Sequence, residues 1–245
     1  MYKGYVKMWR KSLDSTIFAH EGLWKLFCLC LLRADHKGHD VTIPGILKPI
    51  KVESGQFISE SEAFHLLKHA KKLKNGVYYP VILCALRTGM RIGEMQALMW
   101  DDIDIDKRQI EVRRSYRSGR MTDTKNHKRR RVDMTTHLAE TLNTYRTTQK
   151  RAALKNGKPF SEFVFTGARG EILNQISFQN ALNACTEKAK LRHIRTHGLR
   201  HSFATIRLMK GHNVGDVSYQ LGHSSIKITY DVYTPIGCRA SLNRK

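Results

Sequence analysis

Four short stretches carry side chains that could act on a phosphate. In Arg87-Thr-Gly-Met-Arg91-Ile-Gly-Glu94, Arg91 follows a tight Thr-Gly turn at the head of a helix. There a guanidinium fork and the helix N-terminus can hold one anion together. Read alone, Arg91 is equally a surface arginine between two helices. In Thr196-His197-Gly-Leu-Arg200-His201, His197 and Arg200 stand three apart and share a helix face, so the pair can grip two non-bridging oxygens of one phosphate. His197 and His201 also have the i, i+4 spacing of a metal-binding face. No Glu follows His197 and the sequence offers no third ligand, so zinc is not expected. Leu221-Gly222-His223 sets an imidazole at a helix start, where a plain capping histidine is the bland alternative. Thr229-Tyr230-Asp-Val-Tyr233-Thr-Pro offers a phenol. With a pKa of about 10 it is a poor nucleophile at neutral pH. Arginines around it would favour the phenolate and a pentacovalent phosphorus transition state together. For either tyrosine alone, core packing is the ordinary reading.

These stretches lie in a strongly basic chain of 245 residues, with 43 Lys+Arg against 21 Asp+Glu and a formal net charge of +22. An acidic small molecule does not account for that balance by itself, and a polyanion is the first expectation. The bland alternative is a ribosomal-type or merely very soluble protein. Residues 1–62 hold nine Lys/Arg and seven Asp/Glu, so nearly all the excess lies in residues 63–245. The five cysteines, at 28, 30, 84, 185 and 238, are odd in number and irregular in spacing. A disulfide framework or zinc ribbon is therefore not expected, and the pattern suits a reducing cytoplasm. The most apolar run, Leu23–Leu32, is far shorter than the ~20 residues needed to cross a bilayer, so it reads as a buried helix and no membrane association is expected.

The periodicities suggest what positions these groups. Residues 1–58 read as two helices followed by a Pro- and β-branched-rich hairpin, since Pro44 and Pro49 prevent a helix. Ser59-Glu-Ser-Glu62 is a capping-box sequence ahead of Phe64, Leu67, Ala70 and Leu73, so a helix and a new domain begin near residue 60. Val77–Leu86 reads as a buried helix, Met90–Met99 as another, and Asp101–Asp106 as a turn. Gln109–Arg114, Met121–Thr124 and Arg131–Met134 read as three strands. Thr136–Leu154 is a helix with Leu138, Leu142 and Tyr145 on one face. Phe163–Phe165 is a short extended piece. Asn174–Lys190, His197–Met209, Val214–Leu221 and Ser225–Val232 complete the helices.

The order of the motifs is more specific than any one of them: an Arg, a His-x-x-Arg, a Gly-His about two dozen residues on, and a Tyr ten residues later. In "RTGMRIGE", "HGLRHSFAT" and "LGHSSIKIT", followed by "VYT", the chain from about Ser61 to Tyr233 resembles the catalytic domain of tyrosine recombinases, the phage-integrase family. The resemblance implies a mixed, mainly α-helical fold. It would be an α-helical integrase-type catalytic domain at 59–245 with a small three-stranded antiparallel β-sheet, preceded by a small winged-helix-like unit at 1–58. That unit resembles the N-terminal segment of phage and plasmid replication-initiation proteins in Gly4-Tyr5-Val6-Lys7-Met8-Trp9 and Gly55-Gln56-Phe57-Ile58. It stands where the family usually carries a helical DNA clamp.

By this resemblance Arg91 is the first catalytic arginine and Glu94 its acidic companion. His197 and Arg200 are the His-x-x-Arg pair, His223 the His/Trp position and Tyr233 the nucleophile, with Tyr230 its rival. His201 would support the site. The family's hairpin lysine, the general acid, falls on Lys125, with Lys128 the runner-up. Nine Lys/Arg and a single acid, Asp123, lie between residues 113 and 131. Arg113, Arg114, Arg117, Arg120, Lys128, Arg129, Arg130 and Arg131 are read as contacts to the DNA backbone.

The resemblance also implies metal-free, cofactor-free strand transfer on double-stranded DNA through a 3′-phosphotyrosine, by a homo-oligomer that is a tetramer on DNA. It leaves room for accessory DNA-bending proteins. It places the protein in the bacterial cytoplasm or nucleoid, encoded by a phage or mobile element. Two rivals stand beside it. One is a non-catalytic DNA-binding replication accessory protein. The other is a metal nuclease using Asp101, Asp102, Asp104 and Asp106, a run that reads more simply as a solvated turn.

Overall fold

A computed structural model describes residues 57–123, 129–167 and 170–233, without the side chains of Lys74, Asn75, Asp123, Tyr230 and Asp231. Residues 1–56 of the expected winged-helix-like unit, Lys125, Lys128 and the segment after Tyr233 lie outside the described residues.

Helix α1, Glu60–Ala70, begins as the capping box requires: Ser59 Oγ accepts the Glu62 amide at 3.3 Å and Glu62 Oε2 accepts the Ser59 amide at 2.7 Å. Its buried face is Ala63, Leu66, Leu67 and Ala70, rotated from the expected one, and Phe64 stands 67% exposed. The three-residue spacing that included Phe64 drifts around a helix of 3.6 residues per turn, which is why the first position falls off the face. Helix α2, Tyr79–Thr88, carries Pro80 in its first turn, where a missing amide hydrogen costs nothing. It is buried almost all round and stops at Gly89, whose φ of +64° suits a residue without a Cβ.

The expected helix Met90–Met99 is corrected to a five-residue α3, Ile92–Gln96. The chain leaves it because Leu98–Trp100 pairs with 162–164 through an antiparallel bridge, Met99 to Phe163, with amide–carbonyl bonds from Trp100 to Glu162 and from Val164 to Leu98. The expected turn at Asp101–Asp106 is likewise corrected. Trp100–Asp102 forms a 3₁₀ turn and Ile103–Asp104 is a short strand, β1.

The small three-stranded antiparallel sheet is present with different members. Its order is β1–β2–β5, with β2 at Gln109–Val112 and β5 at Arg130–Asp133. The region around Met121 belongs instead to a separate hairpin of β3, Arg114–Arg117, and β4, Arg120–Asp123. Ser118 and Gly119, with φ of +50° and +80°, form a two-residue turn whose twist closes that hairpin on itself. In the sheet, Ile110 faces Val132 and Val112 faces Arg130, and all four are buried. Period-two alternation therefore carries Arg130 to the inner face with Val132.

Helices α4, Thr136–Lys155, and α5, Gln175–Lys188, start on Thr135 and Asn174, whose side chains accept first-turn amides. Leu138 and Leu142 of α4 are buried as expected, and α4 packs on α2, while α1 packs on α2 and α5. Helices α6, Thr196–Met209, α7, Val214–Leu221, and α8, Ile226–Tyr233, follow. Two compact units are distinguished among the described residues: a larger one of 57–204 with 219–222, and a smaller one of 205–218 with 223–233.

Candidate active site

In the larger unit, the loop after α2 and the start of α6 converge. Arg200, only 3% exposed, donates from Nη1 to the Gly89 carbonyl at 2.8 Å. The glycine that ends α2 thus also seats an arginine 111 residues further along the chain. A Cβ on Gly89 would stand 2.4 Å from Phe203 Cδ1 and 2.9 Å from Leu221 Cδ2. Gly89→Ala is therefore expected to cost about 2–4 kcal/mol, from a disfavoured φ and an overpacked core. Urea unfolding checks it, as a lowered midpoint at unchanged slope.

Arg91 precedes α3 with its guanidinium partly exposed. It donates from Nη1 to Glu94 Oε1 at 3.1 Å and to the Leu221 carbonyl at 3.4 Å, and from Nη2 to the Gly222 carbonyl at 3.2 Å. Glu94 Oε2 already accepts the Arg91 amide at 2.8 Å, so the helix start is capped from within.

His197 is exposed although its helix neighbour Arg200 is buried. Partial desolvation, then the charges of Arg200 and Arg91, hold its imidazole below the ordinary value. His201 lies edge-on to it, ring centroids 4.7 Å apart. Desolvation, then His197 and Arg200, push His201 down to about 4, so it is neutral at pH 7 and suited to hold its neighbour's ring in place. Burial would raise the Glu94 carboxyl. The hydrogen bond and charge of Arg130, with smaller contributions from Arg91, outweigh it and keep Glu94 ionised below the usual carboxylate range.

In the smaller unit, His223 Nδ1 hydrogen-bonds Thr229 Oγ1 at 2.7 Å, and Thr229 is fully buried. That bond orients the imidazole, and the sequence carries no signal for it beyond the presence of a nearby threonine. Tyr233 is the last residue of α8 and half-buried.

The basic segment divides in a way composition does not anticipate. Arg117, Arg120, Arg129 and Arg131 are exposed. Arg130 is corrected from a DNA-backbone contact to a buried partner of Glu94, because it lies on the inner face of β5. Arg113 and Arg114, read as DNA-backbone contacts, are half-buried and engaged with Asp102. Arg114 Nη2 reaches both Asp102 oxygens at 2.7 and 3.0 Å, and Arg113 Nε lies 3.4 Å from Asp102 Oδ1. Asp102, one of the carboxylates weighed for metal chemistry, is therefore a buried anchor for the base of the hairpin. Asp104, another, caps the Lys107 amide at 2.8 Å.

Two of the cysteines are buried free thiols, Cys84 and Cys185. Burial pushes Cys84 up to about 12, which makes it unreactive packing. Among the described residues, no helix is long and apolar enough to cross a membrane.

Residues 56–236 match the sequence profile of the phage integrase family. A tyrosine recombinase XerC-like protein of Caldanaerobacter subterraneus subsp. tengcongensis is 27% identical over 218 residues, which are 81% of this chain and 55% of that protein. The tyrosine recombinase XerC of Pediococcus pentosaceus is 32% identical over 176 residues, 71% of this chain and 54% of its own. The chain spans about half the length of the curated relatives it matches. Among solved structures, the XerA recombinase is similar with a TM-score of 0.59 at 25% identity, over 77% of this chain and 65% of that one. The Tn1549 transposon integrase in complex with transposon right end DNA has the same fold, with a TM-score of 0.64 at 21% identity, over 77% of this chain and 65% of its own.

Proposed function

We propose that this chain, which belongs to the phage integrase family, is a site-specific tyrosine recombinase that breaks and rejoins DNA strands without metal or cofactor. The observation that carries the proposal is the pairing of Arg91 and Arg200 around the Gly89–Arg91 loop, with His197 exposed beside their charges. Two guanidiniums and an imidazole donor on a fixed backbone suit the extra charge of a phosphoryl transition state.

In the mechanism proposed, Tyr233 Oη loses its proton and attacks the phosphorus of a phosphodiester. A Tyr–phosphorus bond forms, the bond to the 5′ oxygen breaks, and Lys125 delivers a proton to that oxygen. Arg91, Arg200, His197 and His223 hold the phosphoryl oxygens. A 5′ hydroxyl of another strand then reverses the step. The phosphodiester's energy is kept in the phosphotyrosine, so no nucleotide is consumed. The partner is double-stranded DNA, engaged by a tetramer in the bacterial cytoplasm or nucleoid, and the catalytic domain is residues 59–245.

The test is a nicked suicide duplex that traps the covalent protein–DNA adduct. DNA binding without an adduct would sink this proposal in favour of a non-catalytic DNA-binding protein. An adduct that forms undiminished in EDTA removes the metal-nuclease alternative.

Affinity for DNA is expected to fall with salt at a log–log slope of about −0.9 per phosphate contact. Replacing the exposed Arg129 and Arg131 by Gln should flatten the slope by about 2 without changing the preferred sequence, as read by binding titrations at several salt concentrations.

A further inference from the structure

We propose that Arg130 is a positioning residue for strand transfer, acting on Arg91 through Glu94 and on the turn Gln220–Gly222 through the Gln220 carbonyl. This rests on the recombinase reading above. The three faces of its guanidinium are engaged within the larger unit. Nη1 donates to Glu94 Oε1 at 2.8 Å, Nη2 to Glu94 Oε2 at 2.7 Å and Nε to the Gln220 carbonyl at 2.9 Å. Arg130 is 7% and Glu94 4% exposed. A group so enclosed is not a phosphate contact.

The same carboxylate binds Arg91 through its amide and its Nη1. Glu94 is therefore a bridge with one guanidinium on each side. Beyond the bridge the two arginines meet again. Arg130 takes the Gln220 carbonyl, and Arg91 takes those of Leu221 and Gly222. Three successive carbonyls at the C-terminal end of α7 are thus held by two cations, as the helix dipole favours. Gly222 lies against the group: a Cβ there would stand 2.8 Å from Arg130 Cζ.

Arg91 has a long side chain, 44% exposed, whose direction is set by Glu94. Glu94 in turn is set by Arg130. Removing Arg130 leaves Glu94 free to turn, and Arg91 with it. A lysine keeps the charge but cannot reach both carboxylate oxygens and a carbonyl with one planar fork. One network therefore holds both the direction of Arg91 and the turn 220–222.

The test uses the full chain in two variants, Arg130→Lys and the double variant Glu94→Leu with Arg130→Met. The double variant removes both charges of a buried pair in favour of apolar side chains, a change that often preserves or raises stability. Three quantities are measured: melting temperature, affinity for the nicked duplex, and the rate of adduct formation at saturating DNA. The His197 pKa is also measured by NMR without DNA. Arg91, Arg200 and His201 face His197, and the double change leaves the local net charge unaltered, so a shift reports movement of Arg91.

The double variant is expected to melt near wild type and bind DNA as wild type does. Its adduct formation should be slower by on the order of 10²-fold, the cost of an ångström-scale misplacement. His197 should titrate higher. Arg130→Lys should fall between the two. A double variant with wild-type rate would make Arg130 merely structural and overturn the proposal. So would weakened DNA binding with an unchanged rate at saturation, which would make Arg130 a DNA contact. If wild type itself forms no adduct, the recombinase reading fails, and the His197 titration decides this proposal alone: an unshifted His197 in the folded double variant overturns it.

Discussion

Tyr233→Phe is expected to bind a nicked duplex with near wild-type affinity and to form no covalent adduct with it. The substitution removes one oxygen, the atom proposed to attack phosphorus, and leaves the ring to pack as before. Loss of a nucleophile takes with it most of the rate that the surrounding groups provide, so adduct formation should drop by roughly 10⁴-fold or more, to background. Affinity should persist because it comes from phosphate contacts elsewhere, in a segment 63–245 that holds 34 Lys/Arg against 14 Asp/Glu. Denaturing gels of the protein–DNA mixture read the adduct and filter binding reads the affinity. An adduct that persists in Tyr233→Phe and disappears in Tyr230→Phe would transfer the nucleophile to Tyr230.

Arg130→Met is expected to destabilise the fold by about 3–5 kcal/mol, because it removes the bidentate, buried partner of the Glu94 carboxylate and leaves it to Arg91. Exposed pairs such as Lys107–Asp104 contribute little by comparison. A lowered urea midpoint at unchanged slope would show the loss as one of stability. The pH dependence has a definite sign. Glu94 is held below its ordinary value in the folded state, so it binds protons less readily there than in the unfolded chain. Its contribution is fully present above the unfolded value of about 4.3 and is lost as pH falls through the folded value. Wild type should weaken in that acid window. In Arg130→Met the carboxyl loses its main partner and titrates higher, closer to its unfolded value, so the acid weakening that Glu94 causes should be smaller than in wild type.

Most of the helical framework was legible because its signals are local. The Ser59–Glu62 box starts α1, Gly89 ends α2, and Leu138 and Leu142 mark the buried face of α4, each by rules that act within a turn or two of helix. The errors fall where a distant partner decides. Met90–Met99 has the apolar content of a helix, yet its last third is taken by a bridge to Phe163. The strands after residue 109 were recognised but misassigned, because two adjacent positive-φ residues at 118 and 119 split one expected sheet into a sheet and a hairpin.

The site divides along the same line. From sequence alone came Arg91, His197, Arg200, His223, Tyr230 and Tyr233 as candidates, through the order and spacing of their motifs, while Lys125, the preference for Tyr233 and the role of Glu94 as a companion to Arg91 came from the family resemblance. Nothing in the sequence separated Arg130 from Arg129 and Arg131, since three arginines in a row have one composition and one charge. Strand register separates them. Pairing of β2 with β5 turns Arg130 inward opposite Val112 and leaves its neighbours exposed, and only then does it meet Glu94, 36 residues earlier in the chain. The seat of Arg200 on the Gly89 carbonyl has the same origin. Local chemistry is written in residue type and spacing. Which of several equal charges is enclosed, and by what, is decided only when burial in the tertiary fold makes an unpartnered charge too costly to keep.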